Sequence, residues 1–86
     1  MRHAGPTALD QLEPLLVKIR AFADLKEKTC GVFYLRSRAF LHFHEDPAGL
    51  FADIRDPAAA DFERLKVDEA GAQALLARLS NLLGPS

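Results

Sequence analysis

Two histidines in the middle of the chain, within residues 40–45, are separated by a single residue. If this segment is a β-strand, His42 and His44 project to the same side, because successive side chains of a strand alternate between its two faces. Imidazole nitrogens at this spacing can bind a divalent metal ion, with the carboxylate of Asp46 or Asp53 as an oxygen ligand. The sequence therefore offers a candidate metal site at His42, His44 and Asp53, and it predicts no other cofactor.

The carboxylate of Asp53 also suits other roles. In the antiparallel pairing that the turns predict, Asp53 lies between His42 and Arg64, as in a charge ladder or beside a histidine general base. The same pairing places Cys30 opposite His44, a thiol beside a candidate base. Neither pair comes with an oxyanion site or a catalytic motif. We therefore predict no catalytic residue, and we favour a protein that is not an enzyme.

Aromatic and basic side chains share this predicted outer face with the histidines. The candidate ligand or interface face consists of Tyr34, Phe40, His42, His44, Phe51, Asp53, Arg55, Phe62 and Arg64. The aromatic residues of this face would form an apolar patch larger than a small monomer usually exposes. A second copy of the chain could cover it, since a symmetric dimer is the commonest oligomer. The sequence therefore predicts a homodimer through the outer face, which makes the protein a non-catalytic binding or assembly module.

Two alternatives use the same face. One is a small-ligand or divalent-metal site at His42, His44 and Asp53. The other is single-stranded nucleic acid stacked on the aromatic rings, since Arg55 between two phenylalanines suggests a cation–π stack. The chain carries 11 basic and 12 acidic residues, so its net charge is −1. Because nucleic-acid binding usually needs a basic surface, nucleic acid is the less favoured partner.

Four short strands position these residues. They are predicted at about 31–36, 39–45, 50–55 and 62–67, separated by short segments rich in turn residues. Loops this short favour antiparallel neighbours, which predicts a meander. Alternation of apolar residues then sets the register. A three-residue turn at 36–38 places Phe33 opposite Leu41 and Tyr34 opposite Phe40. The next two loops place Leu41 opposite Ile54, His42 opposite Asp53, Asp53 opposite Arg64, and Phe51 between His44 and Lys66.

Helices are predicted on both sides of the strands. The first spans about 13–27, because Pro14 is tolerated in a first turn but not deep in a helix. The second spans about 69–83, with Asp68 as N-cap and leucines recurring at steps of three and four. The predicted fold is an α+β two-layer sandwich. It has the order helix, four-stranded antiparallel meander, helix, with both helices on one sheet face.

Length and composition bound the organisation of the chain. Its 86 residues form one predicted domain, 1–86, and its single cysteine excludes an intramolecular disulfide and a multi-cysteine zinc site. No apolar run approaches the roughly 20 residues of a membrane span, and residues 1–6 lack the apolar stretch of a signal peptide. We therefore expect a cytoplasmic protein with no membrane partner.

The segment from Phe40 to Arg55 has the pattern F-L-H-F-H-E-D followed by G-x-x-A-D-x-R. It resembles the middle of a family of small uncharacterised bacterial proteins, and the resemblance covers residues 28–67 but implies no activity. The order of elements is also similar to the MmcQ/YjbR-like and frataxin-like layouts. Frataxin-type iron binding needs a dense acidic ridge on the first helix, whereas the acidic residues here are dispersed among lysines. A shared layout therefore transfers no function.

Overall fold

The computed structural model describes residues 2–84 of the chain. Met1, Pro85 and Ser86, which the predicted domain 1–86 includes, lie outside the described residues. The helices are α1 (Pro6–Arg20) and α2 (Glu69–Leu83), and the strands are β1 (Arg2–His3), β2 (Leu25–Thr29), β3 (Val32–Leu35), β4 (Arg38–Asp46), β5 (Gly49–Ile54) and β6 (Glu63–Lys66). Neither helix, in the part of the chain described, is long and apolar enough to cross a membrane.

The strands form one antiparallel sheet in the order β2-β3-β4-β5-β6, and β1 pairs with the carboxyl-terminal end of β4. One face of the sheet packs against both helices. The α+β sandwich predicted from the sequence is confirmed, as is the meander of its last four strands. The sheet differs from the prediction by two additional strands, β1 and β2, which lie before the predicted four.

The first helix begins and ends seven residues earlier than the predicted span of 13–27. Pro6 occupies its first turn, where the missing N–H of proline is not needed and its fixed φ suits the helix. Pro14 therefore lies in the interior, where it removes one backbone hydrogen bond. Pro14 is exposed, so water can solvate the carbonyl that loses its partner. Burial of the leucines on the opposite side stabilises the helix enough for it to continue through Pro14.

The end of the predicted helix is instead the edge strand β2, Leu25–Thr29. Its only large apolar residue is Leu25, and Lys26 and Lys28 are exposed. Exposed lysines on an edge strand oppose pairing with other chains, so a strand of this composition suits the edge of the sheet. Glu27 closes the adjoining turn, since its carboxylate accepts hydrogen bonds from the Gly31 N–H at 3.0 Å and from Arg20 Nε at 2.7 Å.

The hairpin between β3 and β4 corrects a predicted register. Its turn has two residues, Arg36 and Ser37, so Tyr34 pairs with Ala39 and not with Phe40. A bulge then inserts Phe40 as an extra residue before the pair of Phe33 with Leu41, which is as predicted. Phe40 is only 2% exposed and belongs to the core. Its predicted place on the outer face is therefore wrong.

The core lies between the helices and the inner face of the sheet. Its fully buried large side chains are Leu16, Ile19, Phe33, Leu41, Phe43, Ile54, Leu75 and Leu79. Leu65, Leu76 and Leu82 pack against this cluster from its margin. The helix α2 starts where predicted, because the Asp68 carboxylate accepts a hydrogen bond from the Gly71 N–H at 2.7 Å. The regularly spaced leucines of α2 thus pack against the inward-facing apolar residues of the strands.

Leu79→Ala should lower the free energy of unfolding by about 2–5 kcal/mol, because it leaves a cavity among fully buried side chains. Urea denaturation followed by circular dichroism measures the loss. Val17→Ala provides the matched control, since Val17 is 57% exposed on α1 and its truncation should change stability by less than about 0.5 kcal/mol. Equal losses in the two variants would contradict this core.

Candidate functional site

The site is built on the long central strand β4. His42 and His44 alternate with the core residues Leu41 and Phe43, so both imidazoles lie on the outer face, as the sequence predicts. The short strand β1 runs antiparallel beside the end of β4, with His3 directly opposite His44. Cross-strand neighbours on one face lie about 4.5–5.5 Å apart at Cβ, so this pairing brings a third imidazole to the same place.

The three histidines form a cluster. Their ring centroids are 4.8 Å apart for His3 and His44, 4.8 Å for His42 and His44, and 5.8 Å for His3 and His42. One ligating atom from each residue lies within 4.8 Å of the others. The tightest contact joins His42 Nδ1 to His44 Nε2 at 2.7 Å. These are all three histidines of the chain, drawn from two strands far apart in sequence.

Asp53 lies next to this cluster on β5. Its carboxylate is 3.1 Å from His44 Nε2 and accepts two hydrogen bonds from Arg64, from Nε at 2.7 Å and from Nη2 at 2.9 Å. The predicted pairing of His42 with Asp53 and of Asp53 with Arg64 is confirmed. Arg64 holds the pKa of the Asp53 carboxyl below its ordinary value, chiefly through these hydrogen bonds. The buried side chain of Asp53 is therefore an ionised carboxylate.

One arrangement of protons satisfies the short contacts. A proton on His44 Nε2 can donate toward the Asp53 carboxylate and toward the lone pair of His42 Nδ1. Burial lowers the pKa of His42, and the neighbouring His44 lowers it further, while the charge of Asp53 opposes both effects. The charge of Asp53 thus raises the pKa of His42, as a neighbouring carboxylate does, but burial and His44 outweigh it. His42 is therefore held in its neutral form, in which Nδ1 can accept this hydrogen bond.

The other predicted residues of the outer face include three aromatic rings, Phe51, Phe62 and Tyr34. Phe51 lies in the predicted row between His44 and Lys66. Phe62 packs 4.7 Å from the His42 ring, and the guanidinium of Arg55 lies 4.6 Å above Phe62, as a cation–π contact. Tyr34 is half-buried beneath Lys28, whose Nζ is 4.9 Å from the ring. Cations thus already cover two of the aromatic rings.

Sequence reasoning missed His3. Its residue type was a signal, because a third histidine was available to an H-x-H pair, but a strand of two residues has no periodicity that predicts it. The juxtaposition of Cys30 and His44 is wrong. Cys30 lies exposed in the turn between β2 and β3, with its Sγ 3.9 Å from Arg20 Nη2. Asp46, the other proposed oxygen ligand, accepts a hydrogen bond from the Ala48 N–H at 2.9 Å.

The outer face is less apolar than the sequence suggests. Phe40 lies in the core, and Tyr34, Phe51 and Phe62 are each half-buried. Across residues 2–84, Val17 on α1 is the exposed large hydrophobic residue. The homodimer through this face and the single-stranded nucleic-acid alternative stay predictions.

Comparison of the chain with family models, with curated proteins and with solved structures finds no match.

Asp53→Asn should lower the free energy of unfolding at pH 7 by about 1–3 kcal/mol, because the charge-assisted bonds of Arg64 lose a buried anionic acceptor. The folded pKa of Asp53 is depressed, so its stabilisation is fully present above the unfolded value near 3.9. The stabilisation is lost as the pH falls from that value through the folded pKa. The difference between wild type and variant should therefore shrink on acidification.

Urea denaturation at pH 7 and at stepwise lower pH, with a chelator present, measures this difference. Asp10→Asn is the control, since Asp10 is exposed on α1 and its substitution should change stability by less than about 0.5 kcal/mol. A cost of Asp53→Asn that stays constant over the whole pH range would show that the carboxylate charge is not what stabilises the fold.

Proposed function

We propose that this protein is a binding module that holds a divalent transition-metal ion on the outer face of its sheet. The ligands are the imidazoles of His3, His42 and His44, and Asp53 provides an oxygen ligand beside them. A single observation carries the proposal, which is that every histidine of the chain reaches one point from two different strands. The proposal takes up the metal alternative for this face and adds His3 to its ligands.

The donor atoms suit zinc and its neighbours in the transition series. Imidazole binds Zn²⁺, Cu²⁺, Ni²⁺ and Co²⁺ well, whereas Mg²⁺ and Ca²⁺ prefer ligand sets made wholly of oxygen. Bonds of about 2.0–2.1 Å in a tetrahedron place ligand atoms about 3.3 Å apart. The separation of His42 Nδ1 from His44 Nε2 is 2.7 Å and that of His44 Nε2 from Asp53 Oδ2 is 3.1 Å. Small ring rotations therefore reach the geometry of a metal site.

His3 supplies the movement that closes the site. Its side chain is exposed, so its ring has room to turn toward the other two rings. Its backbone is nevertheless anchored, because the Ala4 N–H donates to the Phe43 carbonyl at 3.1 Å and the Gly5 N–H donates to Glu45 Oε2 at 2.8 Å. The fixed backbone lowers the entropic cost of binding, while the ring can still turn to the geometry that the ion requires.

The protonation state of His42 suits metal ligation. Metal ligation needs neutral imidazole, and burial already keeps the pKa of His42 below its ordinary value. The ion would take the place of the proton shared between His42 Nδ1 and His44 Nε2. Arg64 holds the Asp53 carboxylate from the far side, as the partners of a metal ligand usually do.

Isothermal titration with Zn²⁺ should give one ion bound per chain, and Mg²⁺ at the same concentration should give no heat. His3→Ala should weaken Zn²⁺ binding at least tenfold, since even the loss of a group that only orients a ligand costs about 10–100-fold. Co²⁺ should develop the intense visible absorption of tetrahedral coordination, and this absorption should be lost in His42→Ala. Zn²⁺ should also raise the midpoint of thermal unfolding of the wild type.

The exposure of His3 makes His3→Ala a variant that keeps the fold intact. Asp24→Ala, which removes an exposed carboxylate next to β2, is the matched control and should bind Zn²⁺ like the wild type. The double variant His42→Ala/His44→Ala retains His3 and should bind weakly. Zn²⁺ binding of wild-type strength in His3→Ala or in the double variant would overturn the proposal, as would equal binding of Mg²⁺.

A further inference from the structure

A second concave site lies away from the histidines, beside the turn between β3 and β4. It is an open cavity of about 130 Å³. Three arginines surround it, Arg36, Arg38 and Arg55, and its apolar lining includes Leu35, Phe40 and Pro57. None of the three histidines lines this cavity, so what it binds is independent of the metal proposal.

Arg55 is held at the cavity by contacts that leave its charge uncompensated. Its Nη2 donates a hydrogen bond to the Ala39 carbonyl, and its guanidinium stacks on Phe62 at 4.6 Å. Its backbone N–H donates to the Phe40 carbonyl at 2.9 Å, which fixes the start of the side chain. No ion pair joins Arg55 to a carboxylate within residues 2–84. A positioned guanidinium without an anion retains free donors in the fork geometry that matches carboxylate and phosphate oxygens.

Arg36 and Arg38 add two further cations that have no carboxylate partner in the described part of the chain. Arg36 and Ser37 also adopt left-handed backbone conformations, with φ of 52° and 70°. A two-residue hairpin turn of this type normally contains Asn-Gly, because a residue with a Cβ is disfavoured at positive φ. The turn thus places an arginine at the cavity where glycine or asparagine would be more stable. Such local strain is often found where the strained residue serves a function.

We infer that this cavity binds a small organic anion, with its carboxylate or phosphate on the arginines and a compact apolar body on Leu35, Phe40 and Pro57. The volume of about 130 Å³ is close to that of an enclosed apolar cavity of about 150 Å³ that accommodates benzene, so a compact body suits the site. The apolar lining distinguishes the site from a place for a bare inorganic ion. The chain carries a net charge of −1, so the three arginines act as a local feature and not as part of a basic surface.

Benzoate and phenyl phosphate are the probes, with benzamide and inorganic phosphate as their comparison compounds. Amide resonances of residues 35–40 and of Arg55 in ¹⁵N-correlated spectra report binding at constant ionic strength. Benzoate should bind with a Kd below about 1 mM, and benzamide, which has the same ring but no charge, should bind at least tenfold more weakly. Phenyl phosphate should exceed inorganic phosphate by a similar factor. The ratio of benzoate to phenyl phosphate identifies which head group the arginines prefer.

Two variants separate binding from folding. Arg36→Gly relieves the positive φ, so it should keep or raise the midpoint of thermal unfolding while it weakens benzoate binding several-fold. Arg55→Gln should weaken benzoate binding tenfold or more, because hydrogen bonds to charged groups are the strong ones. Lys66→Gln is the matched control, since Lys66 is an exposed cation on the same sheet but away from the cavity.

Three results would overturn the inference. One is benzamide binding equal to benzoate, which would remove the role of the charge. Another is inorganic phosphate binding equal to phenyl phosphate, which would remove the role of the apolar lining. The third is a loss in Lys66→Gln equal to that in Arg55→Gln, which would reduce the effect to general screening. The variants His42→Ala and His3→Ala should bind benzoate normally, so failure of the metal proposal would leave this test intact.

Discussion

The bulge at Phe40 decides which side chains of β4 face the helices and which face outward. The two-residue turn at Arg36 and Ser37 would by itself pair Phe33 with Phe40, and strict alternation would then place Leu41 and Phe43 on the outer face. Inserting Phe40 as an extra residue turns Leu41 and Phe43 into the core and His42 and His44 outward. Burial of a leucine or phenylalanine side chain contributes about 1.5–3 kcal/mol, so the hydrophobic effect favours the bulged arrangement over the regular one.

The candidate metal site depends on a second constraint, at the start of the described chain. The segment from His3 to Pro6 is held at one end by hydrogen bonds to β4 and at the other by the start of α1. Leu12 and Leu16 hold α1 in the core, so the packing of the helix also limits where His3 can lie. These two anchors place His3 opposite His44. The histidine cluster is thus a consequence of tertiary packing as much as of strand pairing.

These constraints explain which parts of the structure the sequence predicts. The register from Leu41 to Arg64 follows from apolar alternation and short loops, and so His42, Asp53 and Arg64 are neighbours as predicted. The strand β2 was missed because its alternation contains one large apolar residue among lysines, which also suits a helix surface. The misplaced Phe40 has a different cause. A three-residue turn and a two-residue turn with a bulge give the same pairing of Phe33 with Leu41, and periodicity alone does not separate them.

Charge on the outer face is divided between its two ends, and cross-strand geometry explains the division. Asp53 and Arg55 lie two residues apart on the same side of the sheet, yet the Asp53 carboxylate binds Arg64, which is directly opposite on β6. The Arg55 side chain is instead held toward the Ala39 carbonyl and the Phe62 ring. Phe62 contacts Arg55 and His42, so it stands between the unpaired guanidinium and the carboxylate end of the face. Phe62 therefore also separates the place proposed for a cation, at the histidines, from the place proposed for an anion, at the arginines.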